Sequence, residues 1–182
     1  RIEKIEVIYE GEITDYDLQP VTKALLKGLL NPILDENVND VNAEMIAKER
    51  GIKVSKTMSS TSDDYSNLIT LKVKGETKVK ELAGTVFHDK EVRVVNINGY
   101  EVDIIPKGMM LITRHNDQPG IVGEVGTLLG SNDVNIASMQ LGRNQVGGDA
   151  VMVMNIDQVV EDELQEKLLS IPGMEEINLL SL

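Results

Sequence analysis

The sequence of 182 residues contains no cysteine and no tryptophan, and only one phenylalanine and four tyrosines. Without cysteine the chain can form no disulfide, no thiolate nucleophile and no cysteine-based zinc site. The scarcity of aromatic rings argues against a stacking platform for single-stranded nucleic acid. No apolar run reaches the roughly 18 residues that a membrane-spanning helix needs. We therefore expect no membrane segment, and the lack of cysteine fits a cytoplasmic protein.

The net charge is −12, which would repel phosphate backbones and anionic lipid, so we expect neither nucleic acid nor a membrane as a partner. Two histidines and no carboxylate pair in an apolar setting leave no acid–base constellation. We therefore expect no catalytic residues and no metal site in this chain. It opens at Arg1 with no signal-peptide pattern, and we interpret that residue as the start of an excised fragment.

The charge divides the chain into two predicted domains. Residues 1–108 hold 15 basic and 19 acidic side chains, net −4, whereas residues 109–182 hold 3 and 11, net −8. A joint at Pro106–Gly108 fits the change in motifs there. The fold class predicted is α+β: a mixed-sheet domain with two helices over 1–108, then a βαββαβ, ferredoxin-like domain over 109–182.

In the first domain, alternation over Lys4–Tyr9 predicts a strand, and helical spacing predicts a helix that ends at Asn31-Pro32. Its apolar stripe is Val21, Ala24, Leu25, Gly28 and Leu29. Asn42 can cap a second helix that runs to Arg50. Two hairpins follow, turning at Gly75–Thr77 and at Asn98-Gly99, the stronger of the two signals.

The second domain is predicted to begin with a strand over Met109–His115 and a helix that Pro119 opens. Strands over Asn135–Gly142 and Ala150–Ile156, a helix marked by Val160, Leu164 and Leu168, and a last strand over Glu176–Leu182 complete it. The methionines at strand positions are expected to fill the core, namely Met109, Met110, Met139, Met152 and Met154.

Several segments in this order resemble the C-terminal regulatory region of the D-3-phosphoglycerate dehydrogenase family. The second domain resembles that family's ACT domain through Arg114–Gly130 (RHNDQPGIVGEVGTLLG), Asp133–Ala137 (DVNIA) and Gly147–Ala150 (GGDA). The first resembles its intervening, allosteric substrate-binding domain through Val41–Ile52, Gly84–Phe87 and Val94–Tyr100. The resemblance implies an NAD-dependent oxidoreductase parent, with NAD held by catalytic domains that this chain lacks.

The resemblance also implies an effector site for L-serine or a related amino acid, and a homo-oligomer, dimer or tetramer. Carried over residue by residue, the site comprises His115, Asp117 and Asn135. Physical chemistry adds the backbone N–H groups at the predicted helix start, from Gly120, Ile121 and Val122, which suit a carboxylate. Asp117 can accept from an ammonium, and the Asn135 amide offers both a donor and an acceptor.

Topology constrains this site. In βαββαβ order the first two strands run parallel, so Asp117 and Asn135 should lie at opposite ends of the sheet, roughly 20 Å apart. One small ligand cannot touch both within one chain. A two-fold pairing of ACT domains would bring one protomer's Asp117 beside its partner's Asn135.

Plainer interpretations remain open for each residue. Asp117 could cap the following helix, His115 could be an ordinary surface histidine, and Asn135 could be only a turn residue. The whole chain could be a structural oligomerisation module without an effector, or an ACT sensor for another amino acid on an unrelated enzyme.

Other positions carry weaker expectations. Gly120, Gly123 and Gly126 lack the Gly-x-Gly of a dinucleotide fingerprint, so we expect close helix packing from them. Arg93 and Lys107 could bind an anion, although a solvated surface is the plainer interpretation. Gln118 stands where the family often carries Arg, and His88-Asp89 stands where we expect a glycine-rich turn.

Overall fold

The structure is a computed structural model that describes residues 1–87 and 90–182. His88-Asp89, for which a turn was predicted, lies outside the described residues. The helices and strands are, in chain order, β1 (Ile2–Gly11), α1 (Gln19–Leu30), α2 (Ala43–Glu49), β2 (Lys53–Ser59), β3 (Asn67–Gly75), β4 (Val79–Phe87), β5 (Glu91–Ile97), β6 (Tyr100–Ile104), β7 (Met109–Asn116), α3 (Ile121–Gly130), β8 (Ile136–Arg143), β9 (Asp149–Ile156), α4 (Asp162–Leu169) and β10 (Met174–Ser181). They form two compact units, Arg1–Lys90 and Glu91–Leu182.

The first unit is a sheet in the order β2-β1-β3-β4 with α1 and α2 on one face. β1 pairs with β2 in parallel and with β3 antiparallel, so the sheet is mixed as predicted. Ile5, Val7 and Tyr9 alternate along β1 and are completely buried against the helices. The strand predicted over Lys4–Tyr9 and its buried face are confirmed.

Helix α1 forms as predicted, and Val21, Leu25 and Leu29 of its predicted stripe are partly buried against the core, whereas Ala24 and Gly28 are exposed. The buried side chains are Thr22, Leu26 and Leu30. A polar contact that hydrophobic spacing cannot predict accompanies this burial: the Tyr9 hydroxyl lies 2.7 Å from Oγ1 of Thr22, which in turn donates to the Leu18 carbonyl. A threonine therefore lies deeper in the core than Val21.

Helix α2 also forms, but Asn42 does not cap it through its side chain. The Asn42 carboxamide oxygen instead accepts from the Asn39 N–H at 2.7 Å and so stabilises the preceding turn. Both predicted hairpins are confirmed. Asn98 and Gly99 take φ of 53° and 87°, as a type I′ turn requires.

The second unit begins at Glu91 rather than at the joint predicted near Gly108. The hairpin β5–β6 packs on one face of the second sheet, where Tyr100 and Ile104 form a buried cluster with Met110, Val151 and Val153. The boundary of the two sequence domains, 1–108 and 109–182, therefore stays a prediction.

The sheet of the second unit has the order β10-β7-β9-β8, with all three neighbouring pairs antiparallel. Helices α3 and α4 cover the face opposite the hairpin. The core between sheet and helices holds Leu111, Val125, Leu129, Met152, Met154 and Leu168, each completely buried. The βαββαβ prediction is confirmed, and Met152 and Met154 fill the core as expected.

No helix in the described ranges is long and apolar enough to span a membrane. Within the same ranges, no cluster of three or more His, Cys, Asp or Glu side chains could hold a metal ion.

Candidate functional site

The predicted site residues divide between the two ends of the second sheet. β7 runs parallel to β8 because each is antiparallel to β9, which lies between them. Asp117 follows the end of β7, beside Asp149 at the start of β9, whereas Asn135 precedes β8, beside the end of β9 at Ile156. The prediction that the two side chains lie at opposite ends of the sheet is confirmed.

At the first end, which we call the Asp117 end, the carboxylate is held by the loop between β8 and β9. Its Oδ2 accepts from Nη1 of Arg143 and from the Gly147 N–H, both at 3.2 Å. The Asp117 N–H donates to the Gly148 carbonyl at 2.6 Å. The Gly147 N–H, then the Arg143 guanidinium, keeps the pKa of Asp117 below its ordinary value.

Asp117 does not cap α3. The helix begins after Gly120, at a φ of 101°, and no side chain of residues 1–87 or 90–182 caps its first turn. The interpretation of Asp117 as a helix cap is therefore wrong. A side chain that accepts a guanidinium and a backbone N–H in a loop is equipped to accept a ligand's ammonium as well.

His115 is buried, with 2 % of its surface exposed, so its interpretation as a surface histidine is wrong. His115 is the last residue of β7 that faces the helices, two positions before Asp117. Its Nδ1 lies 3.4 Å from Oγ1 of Thr113. Burial lowers the pKa of His115, and the charge of Asp117 opposes this only in part. The imidazole is thus neutral near pH 7 and can serve as a hydrogen-bond partner rather than a charge.

The start of α3 has the features expected of an anion-binding helix terminus. The first N–H groups of an α-helix have no intrahelical acceptor, and among the described residues no side chain caps them here. Ile121 is buried in the core, so it can offer only its backbone, whereas Val122 is 41 % exposed. Gln118 donates from Nε2 to the Pro172 carbonyl at 3.0 Å and is thereby turned toward the end of α4.

At the second end, which we call the Asn135 end, the amide is tied to the turn after β9. Nδ2 of Asn135 donates to Oδ2 of Asp157 at 2.7 Å, and its N–H donates to the Gln158 side chain at 2.7 Å. The Asp157 N–H returns a bond to the Asn135 carbonyl. In a single chain Asn135 therefore has a structural role in this turn, consistent with its plainer interpretation.

Arg143 is the site residue that the sequence reasoning missed. It ends β8, and the registers place it in one cross-sheet row with Ala150 of β9 and His115 of β7. The row lies on the inward face of the sheet, so the guanidinium reaches across the small side chain of Ala150 to Asp117. Arg143 could have been identified from the sequence only if the strand registers had been known, because its residue type alone does not indicate a site.

Arg93, one half of the predicted anion site, is already paired. Its guanidinium donates to Glu91 and to Asp103, each at 3.0 Å, and Glu91 contributes most to raising the pKa of Arg93. The described contacts thus favour the plainer interpretation, and an anion site with Lys107 remains a prediction.

The glycines of α3 do not pack closely within this chain. A Cβ built on Gly120, Gly123 or Gly126 meets no atom within 4 Å among the described residues. The expectation of close packing is therefore wrong within the chain. This side of α3 is an open surface beside Ser131 and Ile171.

Comparison with known proteins agrees with this architecture. A family model described as the ACT domain matches residues 109–173, which include both helices and the first three of the four strands just analysed; β10 follows directly after the match. The second domain is thus an ACT domain, a class of ferredoxin-like regulatory module. A second model, described as the D-3-phosphoglycerate dehydrogenase intervening domain, matches residues 1–98, and the chain belongs to the D-3-phosphoglycerate dehydrogenase family.

Curated relatives named D-3-phosphoglycerate dehydrogenase match across the chain. That of Bacillus subtilis is 39% identical over 181 residues, and that of Methanocaldococcus jannaschii is 40% identical over 182; each alignment covers 100% of this chain and 34% of the relative. The Synechocystis relative is 39% identical and covers 96% of this chain and 32% of its own length. The chain spans about a third of these relatives, and its pair of domains fits their C-terminal regulatory region.

Proposed function

We propose that this chain is the regulatory region of an NAD-dependent D-3-phosphoglycerate dehydrogenase. It binds L-serine between paired ACT domains, and this binding causes feedback inhibition of the parent enzyme. The observation that carries the proposal is the placement of Asp117 and Asn135 at opposite ends of one sheet whose edge strand, β8, connects these ends. Membership of the D-3-phosphoglycerate dehydrogenase family supports the assignment of that dehydrogenase activity to the parent protein.

The character of the two sheet edges supports pairing through β8. Its one charged side chain is Arg143 at the end of the strand, and Leu141 is 44 % exposed. The opposite edge, β10, carries Glu175 and Glu176, and charge of this kind protects a sheet edge from association. A two-fold axis at β8 would join two copies antiparallel, so the start of one strand would lie beside the end of the other.

In such a dimer each site would combine the Asp117 end of one protomer with the Asn135 end of the partner. Asp117 would accept from the ammonium, the helix start from Gly120 to Val122 would bind the carboxylate, and His115 and the partner's Asn135 would complete the polar lining. Ligand binding would then favour one arrangement of protomers, which is how an ACT domain could influence distant catalytic domains.

NAD has no place in this proposal within the chain itself. The glycines at 120, 123 and 126 begin after Pro119 and lack the Gly-x-Gly that lets a backbone approach pyrophosphate. The residues present do not fit the cofactor, so under this proposal NAD would be bound by the catalytic domains of the parent protein.

Mixed dimers test the interfacial site directly. Asp117→Ala and Asn135→Ala should each abolish L-serine binding in calorimetry. Unfolding the two variants, mixing them and refolding them together should restore about a quarter of the wild-type binding sites. Half of the dimers would then contain one chain of each variant, and each such dimer would hold one intact site of its two. No restoration, with mixed dimers confirmed by mass spectrometry, would contradict a shared site.

Regulation is tested in the full-length parent enzyme, where the double variant Asp117→Ala, Asn135→Ala should turn over normally but no longer respond to L-serine. The competing function, an oligomerisation module without an effector, predicts a stable dimer and no binding heat with any amino acid. A sensor on an unrelated enzyme is disfavoured by the intervening-domain match over residues 1–98.

A further inference from the structure

The ion pair between Asp117 and Arg143 combines a fixed anion with a movable cation. Asp117 is 17% exposed and anchored on both sides, since its N–H bonds the Gly148 carbonyl and its Oδ2 accepts from the Gly147 N–H. Arg143 is 53% exposed and meets the carboxylate through Nη1 alone, at the end of a long flexible stem. The guanidinium can therefore leave Asp117 without any change in the loop that holds the carboxylate.

Arg143 is also the basic side chain of the second unit that lies close enough to Asp117 to contact a ligand bound at the Asp117 end. The described unit has five basic side chains, and three of the others are held elsewhere by carboxylates. Arg93 pairs with Glu91 and Asp103, Arg114 pairs with Asp149, Glu175 and Glu176, and Lys167 pairs with Glu163.

On this geometry we infer that Arg143 is a specificity-determining residue that makes the effector site selective for zwitterions. The inference rests on the proposed amino-acid site. The ligand's ammonium takes the place of the guanidinium on Asp117, and the released Arg143 binds one oxygen of the ligand's carboxylate. The second oxygen remains for the N–H groups at the start of α3.

Charge explains the selectivity. A zwitterion inserted into the pair turns one charge-assisted contact into two and leaves the net charge of the site unchanged. An amine without a carboxylate would take Asp117 but leave two cations side by side. An organic acid without an ammonium would have to bind Arg143 beside the Asp117 carboxylate, so like charges would oppose binding in both cases.

Three ligands separate these cases in calorimetry on the 182-residue chain: L-serine, serinol, which lacks the carboxylate, and 3-hydroxypropionate, which lacks the ammonium. The wild type should bind L-serine at least about tenfold more tightly than either analogue. Arg143→Gln should weaken L-serine binding by about ten- to a hundredfold and serinol binding much less, because Asp117 is then freed for an amine. Arg143→Lys, which keeps the charge, should lie between.

The ratio of L-serine to serinol affinity is the decisive readout, because a purely structural role for Arg143 would weaken both ligands alike. Lys167→Gln, which removes one positive charge from α4, is the matched control and should leave all affinities unchanged. An unchanged ratio in Arg143→Gln would overturn the inference while the amino-acid site stands. Failure of the wild type to bind L-serine or any other amino acid would overturn the proposed function and this inference with it.

Discussion

The two ends of the ACT sheet differ in how their polar groups are held. At the Asp117 end, a carboxylate that follows β7 accepts from a guanidinium on β8 and from a backbone N–H in the loop between β8 and β9, and the buried His115 lies two residues before it on β7. At the Asn135 end, short hydrogen bonds join two adjacent segments, since Asn135 precedes β8 and its partners Asp157 and Gln158 follow β9. One end is assembled from β7 across β9 to β8, and the other joins only the neighbouring strands β8 and β9.

This difference has a consequence for function. An end assembled across three strands depends on two strand registers, so more of the domain's packing affects it. The Asn135 end depends on the single strand pair β8–β9. Under the proposed pairing, each effector site would combine one end of each kind, so binding would depend on how the two protomers are arranged.

The largest expected effect is on stability, and it compares how tightly β8 is packed near each end of the sheet. A side chain at Gly142 would meet the Glu101 carbonyl at 2.6 Å and the Val102 side chain at 3.1 Å, so Gly142→Val must displace the hairpin beside Arg143. We expect a loss of about 2 kcal/mol in the free energy of unfolding. Ser138→Val, on the same face of β8 but toward the Asn135 end and exposed, is the control and should lose less than about 1 kcal/mol. Urea denaturation measures both, and equal losses would contradict the distinction.

A second prediction concerns pH. The folded pKa of His115 is below its ordinary value of 6.5, so below that pH the unfolded chain binds more protons than the folded one. Stability should therefore be constant above about pH 6.5 and should fall as the pH drops toward the folded pKa. Asp117, whose folded pKa is also lowered, should add a further loss at more acidic pH, as its carboxylate becomes protonated.

Denaturation at pH 7.5, 6 and 5 measures this dependence. The His115→Gln variant should lose less stability between pH 7.5 and 5 than the wild type, whatever its stability at neutral pH. His88→Gln changes the other histidine and is the titration control. If the wild type and His115→Gln had the same pH dependence, the imidazole would not be buried and neutral as described.

How far the sequence could predict this architecture depended on whether a feature was local. The turn at Asn98-Gly99 and the helix that follows Pro119 were predictable because their signals lie within a few residues. The contact of Arg143 with Asp117 depends on two strand registers and on the small size of Ala150 between them. The same limit explains why hydrophobic spacing did not predict the complete burial of Thr22, whose hydroxyl meets Tyr9 of β1.

The position of Asp117 was predictable through family resemblance, but its role in one chain was not. Its spacing before the helix suggested a cap, whereas the loop with Gly147 competes for the same carboxylate and binds it. The open glycine surface of α3 was not predicted, because small residues permit close packing but do not indicate whether another element packs against them.

The smallest expected effect concerns the Asn135 end. Asp157→Ala removes the acceptor of the Asn135 amide, an exposed bond of 2.7 Å, and should lower the free energy of unfolding by about 0.5–1 kcal/mol. In a monomer this loss should add to that of Asp117→Ala, since the two positions lie a strand length apart and share no contact. In a β8-paired dimer the same two positions would become neighbours across the axis, so the double variant should depart from additivity at high protein concentration only. Additive losses at every concentration, in a chain that ultracentrifugation shows to be dimeric, would mean that the dimer joins other surfaces.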